Sequence, residues 1–173
     1  MNVLQQFQPI TCFVFDVDGV LTDGNILLLE DGQMARQMNI KDGYAMQLAI
    51  KKGYRIVIIS GATSFAVKER LAKLGVTDVF MKINNKKECL LSYVEANGLQ
   101  WEHVLFMGDD IPDYSTMQMV GLAACPSDAA TEIKQISHYI APLAGGKGCA
   151  REVIEKVLKL NGHWELNTGI AAI

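Results

Sequence analysis

Several features that would assign this 173-residue chain to a specialised class are scarce or absent. No apolar run reaches the ~18 to 20 residues that a membrane-spanning helix needs, and the start, MNVLQQFQPI, has neither the basic region nor the A-x-A site of a signal peptide. The 16 Lys and Arg residues are scattered and the net charge is only −3, which disfavours nucleic acid as a partner. We therefore expect a soluble protein that binds neither nucleic acid nor a membrane.

Cysteine and histidine are also too few and too dispersed for a zinc site. The chain has four cysteines and three histidines, and no C-x-x-C pair occurs. Cys12 and Cys125 fall within apolar runs, which favours buried, reduced thiols over disulfides. This cysteine usage predicts a cytoplasmic protein.

The chain does contain a regular alternation of short apolar runs and segments with helical spacing. The run ITCFVF, residues 10–15, has no polar alternation, as expected of a strand buried on both faces of a parallel sheet. Similar runs cover residues 55–59, 79–81, 103–107 and 122–124. Because no linker or repeat interrupts this order, we expect residues 1–173 to form a single α/β domain with a doubly wound, Rossmann-like parallel sheet and a C-terminal tail from about residue 162.

Residues 25–38, NILLLEDGQMARQM, interrupt the alternation directly after the first strand. The sequence Glu30-Asp31-Gly32 is typical of a turn, which predicts a β-hairpin insertion. The arm from Ile26 to Leu29 is apolar on both faces, and a small domain has little core to cover it. We expect one face of the hairpin to pack on another subunit; the alternative is that the hairpin folds down on its own domain.

Acidic and hydroxyl residues follow three of the predicted strands. Parallel strands bring their carboxyl ends to one edge of the sheet, where open α/β proteins bind ligands. Several carboxylates meeting at that edge repel one another unless a cation is present, and an all-oxygen ligand set selects a hard ion such as Mg²⁺. The sequence therefore predicts a magnesium site. The residues that we expect there are Asp16 and Asp18 after the first strand, Ser60 after the second, and Asp109, Asp110 and Asp113 after the fourth.

Two other interpretations of these motifs fail. DVDG does not begin a calcium loop of the EF-hand kind, because Val20 and Leu21 stand where that loop needs an oxygen ligand and a glycine. GGKG at 145–148 is not a phosphate loop, because Gly148 replaces the Ser or Thr that would hold Mg²⁺ and Ala141 replaces the first glycine. We expect GGKG to be a flexible turn leading into the last helix.

The chain resembles the haloacid dehalogenase superfamily of phosphohydrolases in four motifs, which occur in order: FVFDVDGVLTDG, IISGA, Lys86 and MGDDIPD. NIKDGYAMQLA and GGKGCARE extend the similarity, over roughly residues 11–162, to the capless branch that contains 3-deoxy-D-manno-octulosonate 8-phosphate (KDO 8-phosphate) phosphatase. The resemblance implies a Mg²⁺-dependent phosphoric monoester hydrolase without a cap domain, acting on a sugar-acid phosphate in the pathway to lipopolysaccharide. It also implies a homotetramer in which the hairpin and a neighbouring subunit roof the site.

The resemblance implies a role for each acidic residue. Asp16 would be the nucleophile that forms an aspartyl phosphate, which suits a carboxylate held beside Mg²⁺. Asp18 would be the general acid and base, protonating the leaving sugar oxygen and then activating water. The side chain of Asp16, the main-chain carbonyl of Asp18 and the side chain of Asp109 would bind Mg²⁺, while Asp110 and Asp113 would support these ligands.

The phosphoryl group would be bound by residues of two other loops. Ser60 and the Gly61 N–H would contact phosphoryl oxygens at a helix N-terminus, and Lys86, preferred over neighbouring lysines from the family pattern, would neutralise the charge that develops in transfer. Relatives usually have Gly where this chain has Lys82, and many have a charged residue where Ala62 stands. Both positions lie near the expected sugar acid, so Lys82 either pairs with its carboxylate or is a solvated surface lysine.

Two other functions remain open from the sequence. One is the same chemistry on another 2-keto-3-deoxy sugar-acid phosphate, such as a nine-carbon 9-phosphate. The other is a catalytically silent member of the superfamily that serves as an oligomerisation module. The usual signature of a silent member is the loss of Asp16 or Asp18, and both are present. An enzyme is therefore the favoured hypothesis.

Overall fold

The computed structural model, which describes residues 2–173, consists of eight strands and seven α-helices joined by short turns. The strands are β1 (Cys12–Phe15), β2 (Leu27–Leu28), β3 (Met34–Ala35), β4 (Arg55–Ile59), β5 (Asp78–Phe80), β6 (Val104–Met107), β7 (Leu122–Cys125) and β8 (Tyr139–Ile140). The helices are α1 (Val3–Phe7), α2 (Ile40–Lys51), α3 (Phe65–Lys73), α4 (Lys86–Ala96), α5 (Tyr114–Met117), α6 (Thr131–Ile136) and α7 (Cys149–Leu160). Within residues 2–173, no helix combines the length and apolar character needed to cross a bilayer.

Six of the strands form one parallel sheet in the order β5-β4-β1-β6-β7-β8. Phe15 of β1 lies opposite Ile58 of β4 on one side and Met107 of β6 on the other. The strand order reverses direction at β1, and such a switch point leaves a crevice beyond the carboxyl ends of the strands. The predicted doubly wound sheet is confirmed, with β8 as an edge strand that the apolar pattern did not indicate.

The sheet has a hydrophobic core on each face. Phe13 and Phe15 pack with residues of α2, α3 and α7, whereas Cys12 and Val14 pack with residues of α4, α5 and α6. All four side chains are fully buried, which is why the first apolar run shows no polar alternation. These two cores clamp β1, so the loop that follows it starts from a rigid position.

The predicted hairpin is present, with Leu27 opposite Ala35 and Leu28 opposite Met34. Gly32 adopts a φ of 83° in its turn, a conformation that glycine takes without strain. The hairpin does not fold down on its own domain, because Leu27, Leu28 and Met34 are 64%, 71% and 55% exposed. That alternative is therefore wrong, and the hairpin presents an apolar surface to solvent.

The tail after α7 turns back along α2. Trp164 packs edge-on against Tyr44 at 6.0 Å between ring centroids, and the Arg151 guanidinium lies 5.2 Å from the Trp164 ring. Gln47 Nε2 donates a hydrogen bond of 2.9 Å to the Ala171 carbonyl. The tail thus contributes to the surface of this domain.

Candidate active site

A cleft of about 310 Å³ lies beyond the carboxyl ends of β1, β4 and β6. A larger groove of about 650 Å³ runs along α7, and none of the site residues expected from the sequence lines it. The structure brings eight of the nine expected site residues to the smaller cleft: Asp16, Asp18, Ser60, Gly61, Lys86, Asp109, Asp110 and Asp113. Lys82 does not line it and is exposed.

Asp16 lies at the centre of a buried ion-pair network. Its Oδ1 accepts a hydrogen bond of 2.7 Å from the Val17 N–H, and its Oδ2 lies 2.8 Å from Lys86 Nζ. Lys86 Nζ also lies 2.7 Å from Asp113 Oδ1. Lys86 is 6% exposed, because it begins α4 with its side chain directed into the cleft, whereas Lys87 is exposed. Lys86, and not the exposed Lys82 or Lys87, is therefore the lysine that contacts Asp16.

The two acidic residues expected to support the metal ligands occupy different positions. Asp113 is fully buried, and its Oδ2 accepts a hydrogen bond of 3.0 Å from the Asp109 N–H. Both Asp113 oxygens are thus engaged, one by Lys86 and one by the backbone that carries Asp109. Asp110 is exposed, and its Oδ1 accepts from the Ile111 N–H at 2.8 Å. Asp113 therefore orients the cleft residues, while Asp110 caps the next turn.

Burial and mutual repulsion perturb the acidic groups of the cleft. Burial, together with the Asp113 charge, raises the pKa of Asp16 to about 7 even though Lys86 opposes the shift. Burial and the neighbouring carboxylates likewise raise the pKa of Asp109 to about 7. Burial alone would lower the pKa of Lys86, but Asp113 and Asp16 raise it overall. The cleft thus holds more negative charge than one lysine balances.

The donor set fits Mg²⁺. Asp16, Asp109 and Asp113 each offer a carboxylate oxygen, and these oxygens lie within 4.8 Å of one another. Hard oxygen donors at this spacing suit a small divalent cation. A Cβ atom on Gly19 would overlap the Asp109 carboxylate, so glycine at this position lets Asp109 reach the loop after β1. Asp113 is fully buried, whereas Asp16 is 8% exposed and Asp109 is half-buried, so Asp16 and Asp109 are the side chains best placed to bind an ion that enters the cleft.

Asp18 makes a contact that the sequence analysis missed. Arg36, which follows β3, places Nε 2.6 Å from Asp18 Oδ1 and Nη2 3.2 Å from Oδ2. The Asp18 carboxylate raises the pKa of Arg36 above its usual value. The signal available in the sequence was a lone basic residue at the base of an apolar hairpin, which by itself names no partner.

Ser60 and Gly61 lie in the cleft, but they are not at a helix N-terminus as expected. Helix α3 begins at Phe65, and Ser64 caps it by accepting a hydrogen bond of 3.3 Å from the Val67 N–H. Ser60 Oγ instead accepts from the Ala62 N–H at 3.2 Å. That expectation was wrong, because the helix begins four residues later, after Ser64.

The GGKG segment, residues 145–148, leads into α7 as predicted, but it packs tightly. The Gly146 N–H donates a hydrogen bond of 2.9 Å to the Val20 carbonyl, and a Cβ atom on Gly145 would overlap the Gly19 carbonyl. The backbone of this turn therefore rests directly on the loop that carries Asp18. This close packing supports the loop and contradicts the flexibility that we expected of GGKG.

Comparisons with known proteins agree with this geometry, although no protein-family model matches the chain. The chain is 32% identical over 161 residues to the 3-deoxy-D-manno-octulosonate 8-phosphate phosphatase KdsC of Escherichia coli strain K12, covering 93% of this chain and 86% of the relative. A crystal structure of the same enzyme from Moraxella catarrhalis, in complex with magnesium, phosphate and KDO, has a TM-score of 0.88 and 29% identity, covering 91% of each chain.

A third similar protein carries the superfamily name. The structure of a Legionella pneumophila hydrolase assigned to the HAD superfamily, subfamily III A, has a TM-score of 0.90 and 28% identity, covering 92% of this chain and 88% of that one. The fold of about nine-tenths of the chain is thus shared with these proteins. The chain therefore belongs to the KDO 8-phosphate phosphatase (KdsC) family of the haloacid dehalogenase superfamily.

Proposed function

We propose that the chain is a Mg²⁺-dependent phosphatase that hydrolyses KDO 8-phosphate through an aspartyl phosphate on Asp16. The observation that carries the proposal is the buried Asp16 carboxylate, held 2.8 Å from Lys86 beside the Asp109 carboxylate. The structure of the Moraxella catarrhalis relative contains magnesium, phosphate and KDO. It supports the proposal that this chain binds the same three ligands. Membership of the family, together with this donor set, favours an enzyme over a silent oligomerisation module.

The proposed reaction has two displacements at phosphorus. Asp16 attacks phosphorus, the bond from phosphorus to the sugar oxygen breaks, and the carboxyl proton of Asp18 passes to that oxygen. Water then attacks the aspartyl phosphate, gives its proton to Asp18, and inorganic phosphate leaves as the bond to Asp16 breaks. When bound by Asp16, Asp109 and the Asp18 carbonyl, Mg²⁺ supplies positive charge that reduces repulsion between nucleophile and phosphate.

The remaining cleft residues would bind the phosphoryl oxygens. Lys86 Nζ already lies beside Asp16 and carries a positive charge into a buried site, where electrostatic stabilisation of a developing anion is strong. Ser60 is 1% exposed, and Ser60 and Gly61 line the same cleft as Lys86. Both groups are held in place before substrate arrives, so little reorganisation is needed.

A phosphate-release assay with Mg²⁺ and a panel of substrates tests the function. We expect KDO 8-phosphate to give the highest kcat/KM, ahead of a nine-carbon 2-keto-3-deoxy sugar-acid 9-phosphate and of simple hexose phosphates. A higher kcat/KM for the nine-carbon substrate would overturn the substrate but not the chemistry. No release from any phosphate ester would favour the silent oligomerisation module.

Lys82 is the proposed specificity residue. It adopts a φ of 58°, a left-handed conformation that glycine takes more easily. Its N–H donates a hydrogen bond of 3.0 Å to the carbonyl of Ala62, which lines the cleft. The two positions where this chain departs from its relatives are therefore adjacent. Lys82 keeps a strained backbone conformation next to Ala62, where many relatives have a charged residue. This supports a role for Lys82 in pairing with the carboxylate of the sugar acid.

Lys82→Ala is expected to raise KM for KDO 8-phosphate by about 1.5- to 5-fold, the equivalent of an exposed ion pair, and to leave turnover of a small aryl phosphate unchanged. Steady-state kinetics on both substrates measure this, with Lys87→Ala, another exposed lysine, as the control. Equal losses on the two substrates would instead place Lys82 in phosphoryl binding. No loss on either would make it a surface lysine.

We also propose a homotetramer, which the exposed apolar hairpin supports because such surfaces mark interaction sites. Replacing Leu27 and Leu29 with Glu is expected to shift the protein toward monomer, as measured by light scattering, and to lower activity if a neighbour roofs the cleft. Leu166→Glu is the control, since Leu166 is 94% exposed but lies in the tail. A wild-type monomer at micromolar concentration would refute the proposal.

The cellular setting completes the proposal. We propose a single-domain cytoplasmic enzyme that contributes to lipopolysaccharide synthesis by releasing KDO. Its four cysteines are free thiols, and Cys12, Cys125 and Cys149 are buried. This pattern supports a reducing compartment.

A further inference from the structure

The contact between Arg36 and Asp18 joins the hairpin to the catalytic loop. It is bidentate, with Nε on Oδ1 at 2.6 Å and Nη2 on Oδ2 at 3.2 Å. The Arg36 side chain is 6% exposed, whereas that of Asp18 is 33% exposed. A guanidinium presents its donors in a planar fork, so a bidentate pair sets the orientation of the carboxylate as well as its position.

Within residues 2–173, Arg36 is the side chain that holds the Asp18 carboxylate, and no second hydrogen-bond partner contacts its oxygens. This differs from Asp113, whose two oxygens are held by Lys86 and by backbone N–H groups. Without Arg36, a carboxylate that is one-third exposed would sample several rotamers. The orientation of Asp18 therefore depends on a residue of the hairpin.

The base of the hairpin is anchored to the same loop. Thr22 pairs with Met38 in an isolated β-bridge, and Thr22 Oγ1 accepts a hydrogen bond of 3.2 Å from the Gly19 N–H. Asn39 Nδ2 donates to the Gly146 carbonyl at 3.2 Å. The hairpin base, the loop that carries Asp18 and the turn beneath it thus form one connected unit.

We infer that Arg36 is a positioning residue that aims Asp18 for proton transfer, so that acid–base catalysis depends on the placement of the hairpin. This inference rests on the proposed phosphatase function. The two contacts fix the plane of the Asp18 carboxylate. The contact at Oδ2 is the longer of the two, at 3.2 Å, and it gives way when Oδ2 exchanges a proton with the leaving oxygen or with water. Arg36 acts through Asp18, since Asp16 and Asp18 line the cleft and Arg36 does not.

The test uses rapid-quench kinetics with p-nitrophenyl phosphate and Mg²⁺. Nitrophenolate leaves without being protonated, so formation of the aspartyl phosphate on Asp16 does not need Asp18, whereas hydrolysis of the aspartyl phosphate does. Arg36→Ala is expected to release a burst of nitrophenol close to one equivalent, followed by a steady-state rate about 10- to 100-fold below wild type. Phosphorylated protein should accumulate, and mass spectrometry after acid quenching would detect it.

Two further variants separate positioning from folding. Arg36→Lys keeps a charge and most of the buried stem, so it should fold as wild type does and recover part of the hydrolysis rate, because a single ammonium cannot reproduce the planar fork. Lys41→Ala removes an exposed lysine at the start of α2 and should match wild type in both steps. If Arg36→Ala does not fold, Arg36→Lys replaces it in the test. That variant is then expected to show a burst of nitrophenol followed by slowed hydrolysis.

Specific results would overturn the inference. A steady-state rate within threefold of wild type in Arg36→Ala, or an equal fall in both steps, would remove the positioning role. Weaker inhibition by inorganic phosphate with unchanged hydrolysis would place Arg36 in phosphate binding. If wild-type protein itself releases no nitrophenol, the proposed function fails, a result distinct from any effect of Arg36.

Discussion

Asp16→Asn is expected to lower turnover of KDO 8-phosphate by at least about a thousandfold, as the loss of a covalent nucleophile does in other enzymes. The amide keeps the shape of the side chain and can still accept the 2.7 Å hydrogen bond from the Val17 N–H. It is too weak a nucleophile to attack phosphorus, because the nitrogen lone pair is delocalised into the carbonyl and the oxygen carries no full negative charge. Thermal unfolding should be close to that of wild type, and Mg²⁺ should still bind through the remaining oxygen ligands.

Asp110→Asn is the matched control for this variant. Asp110 lines the same cleft but is exposed and caps a turn, so its neutralisation is expected to change kcat only slightly. Turnover by Asp16→Asn within about tenfold of wild type, a difference of only ~1.4 kcal/mol in activation free energy, would exclude Asp16 as the nucleophile. Phosphate-release assays under saturating substrate measure both variants.

Removal of Mg²⁺ by a chelator is expected to abolish activity. In addition, the free energy of unfolding of the metal-free protein should depend on pH. The folded-state pKa values of Asp16 and Asp109 are raised to about 7, above the unfolded value of about 3.9. A group with a raised folded pKa contributes stability below its unfolded pKa and loses that contribution as pH rises through its folded pKa. The metal-free protein should therefore lose stability between about pH 4 and pH 7.

Mg²⁺ competes with protons for the same carboxylates, so its affinity should rise with pH and level off above about pH 7. Melting curves in chelator and in Mg²⁺ at pH 5 and pH 8 measure this, and Mg²⁺ should raise Tm more at pH 8. Asp109→Asn, which removes one of the two raised groups, should flatten the pH dependence. Full activity in excess chelator would remove the metal from the mechanism.

Calcium is expected to inhibit rather than replace Mg²⁺. Ca²⁺ accepts more ligands at longer distances than Mg²⁺ does, which would disturb in-line attack by Asp16. Activity in Ca²⁺ equal to that in Mg²⁺ would contradict this expectation. The assay is phosphate release after exchange of one ion for the other.

The apolar runs and the polar residues that follow them were sufficient to predict the sheet and the cluster of acidic residues at its edge. Strands buried on both faces appear as continuous apolar runs, and parallel strands must bring their carboxyl ends to one edge. Asp16, Ser60 and Asp109 each directly follow or lie within two residues of such a run, so their convergence follows from strand order and requires no knowledge of side-chain conformation. The hairpin followed equally from a turn motif between short apolar segments.

Which side chains are in contact could not be predicted from local sequence patterns. The contact between Arg36 and Asp18 spans 18 residues across a hairpin, and the angle at which a hairpin leaves its sheet is set by packing that no local pattern encodes. Helix α3 begins after Ser64, four residues beyond Ser60, so the Ser60-Gly61 pair lies in a loop and not at a helix N-terminus. Lys86 was distinguished from its neighbours by burial. Such contacts depend on loop conformations, and these are fixed by close backbone packing such as that of Gly145 against Gly19.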